Sequence, residues 1–212
     1  MCSMVCPFDA DPAEATYNIK VELIQEGNLD NNIQNALNSS RGFVKKMSSF
    51  PIFHLENKKS IYFPGCSMLG FWKEINVKLK RLLEEKLSEK LGCAILCCGD
   101  PMWHNGDRIR LSHHHKLLED RFENAGVEKI FVASANCKKV FKEFLNEVEI
   151  VYIYILGVVD KNDFKDRPKD PYFLHHPCPN FKETKVMECI DSLFLMSGIE
   201  KNEVPFCCGI GG

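Results

Sequence analysis

The sequence predicts an α/β fold built on a parallel sheet, and three features of the chain point to it. Short runs of β-branched and aromatic residues alternate with longer amphipathic segments between residues 59 and 155. Each short run stops at a turn-forming residue, and the segments between the runs have the apolar spacing of a helix. Hydrophobic residues make up 45% of the chain and charged residues 26%, as in a globular protein. Such alternation favours right-handed β-α-β crossovers.

The expected elements follow in regular order. Asp11-Pro12 marks a helix start, because proline is favoured at the first helical position. Residues 13–26 are expected to be helical, and residues 28–50 to form a helical connector that Pro51 ends. The strands are then expected at residues 61–63, 94–96, 130–133 and 150–155, with helices between them at about 75–91, 111–126 and 138–147.

Charge and hydropathy exclude several classes of protein. With 27 basic and 29 acidic residues, the net charge is -2, which gives no strong electrostatic case for nucleic acid or an anionic membrane surface. The longest apolar run, residues 150–159, is too short to span a bilayer. The N-terminus lacks the build of a signal peptide, so we expect a cytoplasmic protein without a membrane span.

The 11 cysteines are the most informative residues. Their number is odd and their share lies below the roughly 8–10% of disulfide scaffolds, which argues against a secreted disulfide framework. They also fall in a repeated pattern. A lone cysteine follows a β-prone run at Cys66 and again at Cys178, and a Cys-Cys-Gly begins 31 residues later at Cys97 and 29 residues later at Cys207. This spacing indicates an internal repeat whose second copy stops before its third strand.

The cysteines of the first copy are expected to meet. Cys66, Cys97, Cys98 and Cys137 each follow a different expected strand or its adjoining turn. Because ligands collect beyond the carboxyl ends of parallel strands, four thiols should share one edge of the sheet. Four thiolates tolerate each other only around a cation or a cluster, and a vicinal pair fits an iron–sulfur cluster better than zinc-finger spacing. Four separate buried cysteines, a zinc site and a transient disulfide site remain alternatives.

Five linked motifs resemble the cysteine-rich CCG domain. That domain occurs twice in heterodisulfide reductase catalytic subunits and in related iron–sulfur subunits of glycerol-3-phosphate, glycolate and lactate oxidising systems. The resemblance covers about residues 59–212 and implies tandem parallel-sheet units that bind a [4Fe-4S] cluster. The motifs are Tyr62-Phe63-Pro64-Gly65-Cys66, Cys97-Cys98-Gly99, Ser134-Ala135-Asn136-Cys137, His176-Pro177-Cys178-Pro179 and Cys207-Cys208-Gly209-Ile210-Gly211-Gly212.

The chain departs from the family pattern in both units. Ser134 stands where the family has the first cysteine of Cys-x-x-Cys, so the first unit offers four thiols instead of five. A four-thiolate [4Fe-4S] or labile cluster is therefore expected rather than a non-cubane one. The second unit ends at Gly212 and keeps three thiols, which predicts an incomplete site. These implied ligands are Cys178, Cys207 and Cys208.

The N-terminus resembles the last part of a bacterial ferredoxin run. Cys2 and Cys6-Pro7 have the matching residue types, but two cysteines cannot hold a cluster alone, and a pair of exposed thiols without function is the alternative. The resemblance then implies an architecture shortened at both ends. Its expected parts are a ferredoxin-type remnant at residues 1–16, a helical connector at 17–57, a first CCG unit at 58–160 and a truncated second unit at 171–212.

Several histidines and two further cysteines receive no ligand role. Residues 113–115 are expected to form a solvated helix face, because metal-binding pairs prefer i, i+4 spacing. His104 and Asp107 are candidates for proton delivery near the thiols. Residues 175–176 are expected to be packed or exposed, with tuning of a cluster as the alternative. Cys93 and Cys189 are expected in the core.

The expected function is that of an iron–sulfur oxidoreductase subunit. Electrons would move between the cluster and a ferredoxin-type or flavoprotein partner, as the resemblance implies. The alternative is a non-enzymatic, truncated module that binds zinc or acts as a scaffold in a larger redox complex.

Overall fold

The computed structural model describes residues 11–27, 29–49, 51–157, 172–174, 180, 183–197 and 201–203. The helices in this part of the chain are α1 (Pro12–Glu26), α2 (Asn31–Met47), α3 (Cys66–Phe71), α4 (Lys73–Leu87), α5 (Asp100–His104), α6 (Arg108–Asn124), α7 (Ala135–Phe144) and α8 (Thr184–Ser197). The strands are β1 (Ile52–His54), β2 (Ser60–Phe63), β3 (Gly92–Ile95), β4 (Lys129–Val132), β5 (Glu149–Tyr152), β6 (Tyr172–Leu174) and β7 (Lys201–Glu203). A 3₁₀ helix covers Ile153–Leu156.

Five of these strands form one sheet in the order β1-β3-β2-β4-β5. The pairs β3–β2, β2–β4 and β4–β5 are parallel, and only β1 runs antiparallel, on β3. The expected α/β fold with a mostly parallel sheet is confirmed. The placement of residues 52–54 in the helical connector is wrong, because they form β1. Three residues are too few to show a period, and their pairing with β3 decides their conformation.

Alternate residues of β2 pack into two different cores. Ile61 and Phe63 join the cluster that includes Phe122 of α6 and Phe141 of α7. Tyr62 joins the cluster on the other face, with Leu83 of α4. Helices therefore cover both faces of the sheet, as buried parallel strands require. This burial explains why β2 reads as a continuous apolar run rather than an alternating one.

The two N-terminal helices have clear start signals. Asp11 accepts a hydrogen bond from the Glu14 amide over 3.0 Å, and Asp30 accepts one from the Ile33 amide over 2.8 Å. These caps satisfy amides that the first turn of a helix leaves without partners. The helices expected from the sequence at residues 13–26 and within 28–50 are both present. Val44 of α2 packs in the same cluster as Cys97 and so brings this helix to the region of the cysteines.

The strand expected at residues 150–155 is shorter than predicted. β5 ends at Tyr152, and the chain continues as the 3₁₀ helix. The reason lies in the neighbouring strand, because β4 ends at Val132, the register partner of Tyr152. Beyond that pair no ladder bonds with β4 remain to hold the chain extended.

The C-terminal strands repeat the arrangement of β2 and β3. β6 and β7 are a parallel pair with the long helix α8 between them, as β2 and β3 are with α4. This shared topology agrees with the repeated cysteine pattern. α8 packs on the 3₁₀ helix, Val186 lies in the main core, and Lys138 forms an ion pair with Glu183. No helix among the described ranges is long and apolar enough to cross a membrane.

Candidate metal centre

Three neighbouring parallel strands lead directly to the four cysteines of the first unit. Cys66 is the first residue of α3 after β2, Cys97 and Cys98 follow β3, and Cys137 lies in the first turn of α7 after β4. Since β3, β2 and β4 are adjacent, their carboxyl ends share one edge of the sheet. The structure therefore brings together the four residues that the sequence predicts to meet.

The four thiols form a series of contacts. The Cys66 thiol is within hydrogen-bonding reach of Cys97, Cys97 of Cys98, and Cys98 of Cys137. Cys97 is 0% exposed, and Cys98 and Cys137 are each 3% exposed, while Cys66 is half-buried. Sulfur atoms from three separate segments of the chain thus lie next to one another in the interior of the protein. This contact excludes the alternative of four unconnected buried cysteines.

The surroundings raise the pKa of three of these thiols, Cys66, Cys97 and Cys98, and so keep them protonated in the absence of a cation. The hydrogen bond to Cys97 and burial raise the pKa of Cys66, although the amides of Cys66 and Ser67 oppose the change. The contact with Cys66 lowers the pKa of Cys97, but Cys98 and burial outweigh it and raise the value to about 12. The contact with Cys137 and burial raise the pKa of Cys98 well above its ordinary range. Thiolate ligation here therefore needs a positive charge to offset burial and mutual repulsion.

The donor set fits an iron–sulfur cluster. Four thiols with little access to water are soft ligands, which suit such a cluster. Within the described ranges, no group of three Cys, His, Asp or Glu side chains has the geometry of a metal-ion site. A cluster of four irons takes one thiolate at each iron, so its ligands do not need to surround a single point.

Two glycines allow the chain to approach the thiols closely. Gly65 has φ +80° and Gly99 has φ +93°, conformations that side chains with a Cβ rarely adopt. A Cβ on Gly65 would lie 3.1 Å from Cys137 Sγ, and a Cβ on Gly99 would lie 2.4 Å from Leu111 Cδ1. Gly65 therefore leaves room for the Cys137 sulfur, and Gly99 lets α6 pack directly beneath the Cys97-Cys98 segment.

The prediction of a solvated histidine face is wrong for His114 and His115. The Nε2 atom of His114 lies 2.8 Å from the Cys97 carbonyl oxygen, and that of His115 lies 2.7 Å from the Cys98 carbonyl oxygen. His115 is 2% exposed, whereas His113 is exposed as expected. The signal was present in the sequence, because His115 falls at helical spacing with the buried residues Leu111, Leu118 and Phe122.

The proton-delivery candidates both take part in other contacts. Asp107 is 2% exposed and pairs with Arg41, whose Nε atom lies 2.5 Å from the carboxylate. His104 lies 3.1 Å from Asp100, and the hydrogen bond to Asp100 raises the pKa of His104 despite burial. Asp107 therefore anchors α2, and His104 supports the turn that follows the vicinal cysteines.

The remaining cysteines fall into two groups. Cys93 lies within β3, in register with Tyr62, and Cys189 lies in α8; both are half-buried, in keeping with a packing role. The predicted ligands Cys2, Cys6, Cys178, Cys207 and Cys208, together with residues 175–176, lie outside the described residues.

The comparison with known proteins gives one match. Residues 60–142 match the family model of the cysteine-rich domain called CCG. Neither the curated proteins nor the solved structures compared with the chain include a match. The matched segment runs from β2 to α7 and contains Cys66, Cys97, Cys98 and Cys137. The segment that carries the four thiols is therefore the part of the chain that is similar to the cysteine-rich CCG domain.

Proposed function

We propose that this chain is an iron–sulfur oxidoreductase subunit in which Cys66, Cys97, Cys98 and Cys137 ligate a [4Fe-4S] cluster. The observation that carries the proposal is the meeting of these four thiols at the carboxyl edge of three parallel strands. The CCG match at residues 60–142 supports an iron–sulfur redox module. The bound cluster would supply one-electron chemistry, and the chain would hold it, bury it and set its potential.

Backbone amides near the cysteines have a definite role in this proposal. The Gly99 amide donates to Cys97 Sγ over 3.4 Å, and the amides of Cys66 and Ser67 are directed at the Cys66 sulfur at the start of α3. Hydrogen bonds to ligand sulfurs stabilise the more negative, reduced state of a cluster. These amides would therefore raise the potential, while burial would lower it.

The wider assignment rests on the resemblance. We propose heterodisulfide reductase-like electron transfer with a ferredoxin-type or flavoprotein partner in the cytoplasm. Cys178, Cys207 and Cys208 would contribute ligands of the second unit, and Cys2 and Cys6 would belong to a ferredoxin-type motif. The domain limits proposed from the sequence are retained with this assignment, except that residues 52–54 form β1 and are not part of the helical connector.

The decisive experiment is anaerobic reconstitution with iron and sulfide. We expect about four irons and about four acid-labile sulfides for one cluster. The Cys97→Ser/Cys98→Ser double variant should lose this iron, whereas Cys93→Ser should keep it, because Cys93 lies within β3 and outside the thiol series. Equal iron in the wild-type protein and the double variant would contradict the ligand assignment.

The same preparations test the zinc or scaffold alternative. Protein purified without oxygen is analysed for zinc, iron and sulfide before reconstitution. Iron with sulfide supports the proposed function. Stoichiometric zinc without sulfide, lost in the double variant, would overturn it in favour of the metal-binding module.

A further inference from the structure

Helix α6 binds the Cys97-Cys98 segment through two hydrogen bonds. The segment lies between β3 and α5, outside both helix and strand. Its two consecutive carbonyls face two consecutive histidines of α6, at 2.8 Å for His114 and 2.7 Å for His115. A buried carbonyl without a partner costs free energy comparable to a lost hydrogen bond. The two rings therefore satisfy the peptide groups that the irregular backbone leaves open.

The rings are themselves fixed by packing. The His115 ring lies 4.8 Å from the Phe144 ring and 5.7 Å from the Phe141 ring, measured between centroids. The His114 and His115 rings meet edge to face at 5.7 Å. Close contact of Leu111 with Gly99 sets the distance between α6 and the segment. The donors are thus preorganised and not carried by mobile side chains.

The acceptors determine the protonation of the rings. A carbonyl oxygen only accepts, so each Nε2 atom carries hydrogen and donates. These hydrogen bonds need one hydrogen on each Nε2 atom and no charge on either ring. The His115 Nδ1 atom is buried with no hydrogen-bond partner among the described residues. This arrangement commits one nitrogen of His115 to Cys98 alone.

Adjacent residues of an extended chain point to opposite sides, so two neighbouring thiols reach one site only if the backbone between them is constrained. We propose that His114 and His115 are positioning residues that fix the Cys97 and Cys98 peptide groups and so aim both thiols at the same site before any metal is bound. Their effect on cluster binding rests on the proposed function; their effect on the thiols does not.

The test compares leucine and glutamine variants of the reduced, metal-free protein. His114→Leu and His115→Leu remove the donor, whereas His114→Gln and His115→Gln keep an amide donor at a similar reach. The readout is the rate of iodoacetamide labelling at each cysteine by mass spectrometry, with Cys93 as the internal reference. Each leucine variant should speed labelling about tenfold, at Cys97 for His114 and at Cys98 for His115, since a hydrogen bond is lost. The glutamine variants should remain near the wild-type rate.

Three results would overturn the proposal. These are unchanged labelling in the leucine variants, equal acceleration in leucine and glutamine variants, or equal acceleration at Cys93, which would indicate general loosening. If His115→Leu does not fold, the labelling rate of Cys97 in His114→Leu tests the proposal by itself, because His114 is only half-buried.

Iron reconstitution of the same variants separates this inference from the proposed function. Faster labelling in the leucine variants of a protein that takes up no iron would leave the positioning role intact and refute the cluster. Normal labelling in the leucine variants of a protein that binds about four irons would refute the positioning role and support the cluster. If both proposals hold, the leucine variants should also lose iron to a chelator about tenfold faster than the wild-type protein.

Discussion

The side-chain amide of Asn136 donates a hydrogen bond to the carboxylate of Asp100 over 3.1 Å. Asn136 directly precedes Cys137, and Asp100 lies two residues after Cys98. The bond therefore ties the first turn of α7 to the start of α5, the two segments that follow β4 and β3. It holds Cys98 and Cys137 at a set separation without involving either sulfur atom.

Removal of this bond should weaken the protein and its site. Asn136→Ala removes the amide donor to Asp100 Oδ2, and a hydrogen bond to a charged group is worth about 1.5–3 kcal/mol. We expect the free energy of unfolding in urea to fall by about 2 kcal/mol. Asn105→Ala is the control, because the Asn105 side-chain amide donates to the Pro101 carbonyl oxygen one turn away and links no two segments among the described residues. Equal losses of unfolding free energy in the two variants would show that the bond between the two segments does not stabilise the protein.

Replacement of Gly65 by a residue with a side chain should destabilise the protein. Gly65→Ala places a methyl group 3.1 Å from Cys137 Sγ in a backbone region that costs about 1–3 kcal/mol for other residues. We expect a loss of stability in that range and a lower iron content after reconstitution. Gly70→Ala is the matched control, since a Cβ there meets nothing within 4 Å. Iron binding that is unchanged in Gly65→Ala would contradict the tight approach of Cys137 to this turn.

Asn76 should be the main polar support of the helix that begins at Cys66. It accepts from the Tyr62 hydroxyl over 2.9 Å and donates to the carbonyls of Met68 and Trp72 over 2.7 and 2.9 Å. Asn76→Leu leaves the buried Tyr62 hydroxyl without its acceptor, which should lower the free energy of unfolding by about 1–3 kcal/mol. The carbonyls of Met68 and Trp72 lose one donor each but keep the backbone amides of Trp72 and Asn76, over 2.9 and 3.0 Å.

A double-mutant cycle measures this support. Tyr62→Phe alone leaves the Asn76 carbonyl oxygen without its donor, and Asn76→Leu alone leaves the hydroxyl without its acceptor. The combined variant should lose less stability in urea than the sum of the two single losses, because one shared bond is counted twice. Strict additivity would mean that the buried hydroxyl and amide do not interact.

Glu84 should make the free energy of unfolding depend on pH in the acidic range. Burial disfavours its charge, but Lys80, Lys90 and the Leu91 amide outweigh burial and lower the pKa from 4.5 to about 2. Since the folded state binds the proton more weakly than the unfolded state, the stabilisation is complete above the ordinary pKa and is lost as pH falls toward about 2.

Unfolding in urea across this range checks the sign. The stability gap between the wild-type protein and Glu84→Gln should be widest near neutral pH and should narrow steadily below about pH 4.5. Glu85→Gln, which alters the exposed pair with Arg81, should show little effect at any pH. A gap for Glu84→Gln that stays constant down to about pH 2 would refute the assignment.

Much of the fold was accessible because its signals are local. Apolar spacing marks α4 and α6, and the turn residues Gly65 and Gly99 mark where strands end. The cysteines could be placed at one edge of the sheet because parallel strands joined by right-handed crossovers have their carboxyl ends at the same edge. β1 was not predicted, since three residues have no measurable period and their pairing partners in β3 lie 39 to 43 residues further along the chain.

The amino-acid sequence by itself determined which thiols approach one another, because strand direction and connection follow from local pattern. Only the tertiary structure decided what holds them there. His114 and His115 reach Cys97 and Cys98 across 17 residues of chain. Such a contact depends on the distance at which α6 packs beneath the turn, and that distance is a property of the assembled core. The contact with Cys137 and the burial of the sulfurs in that core raise the pKa of Cys98, which no spacing of residues could show.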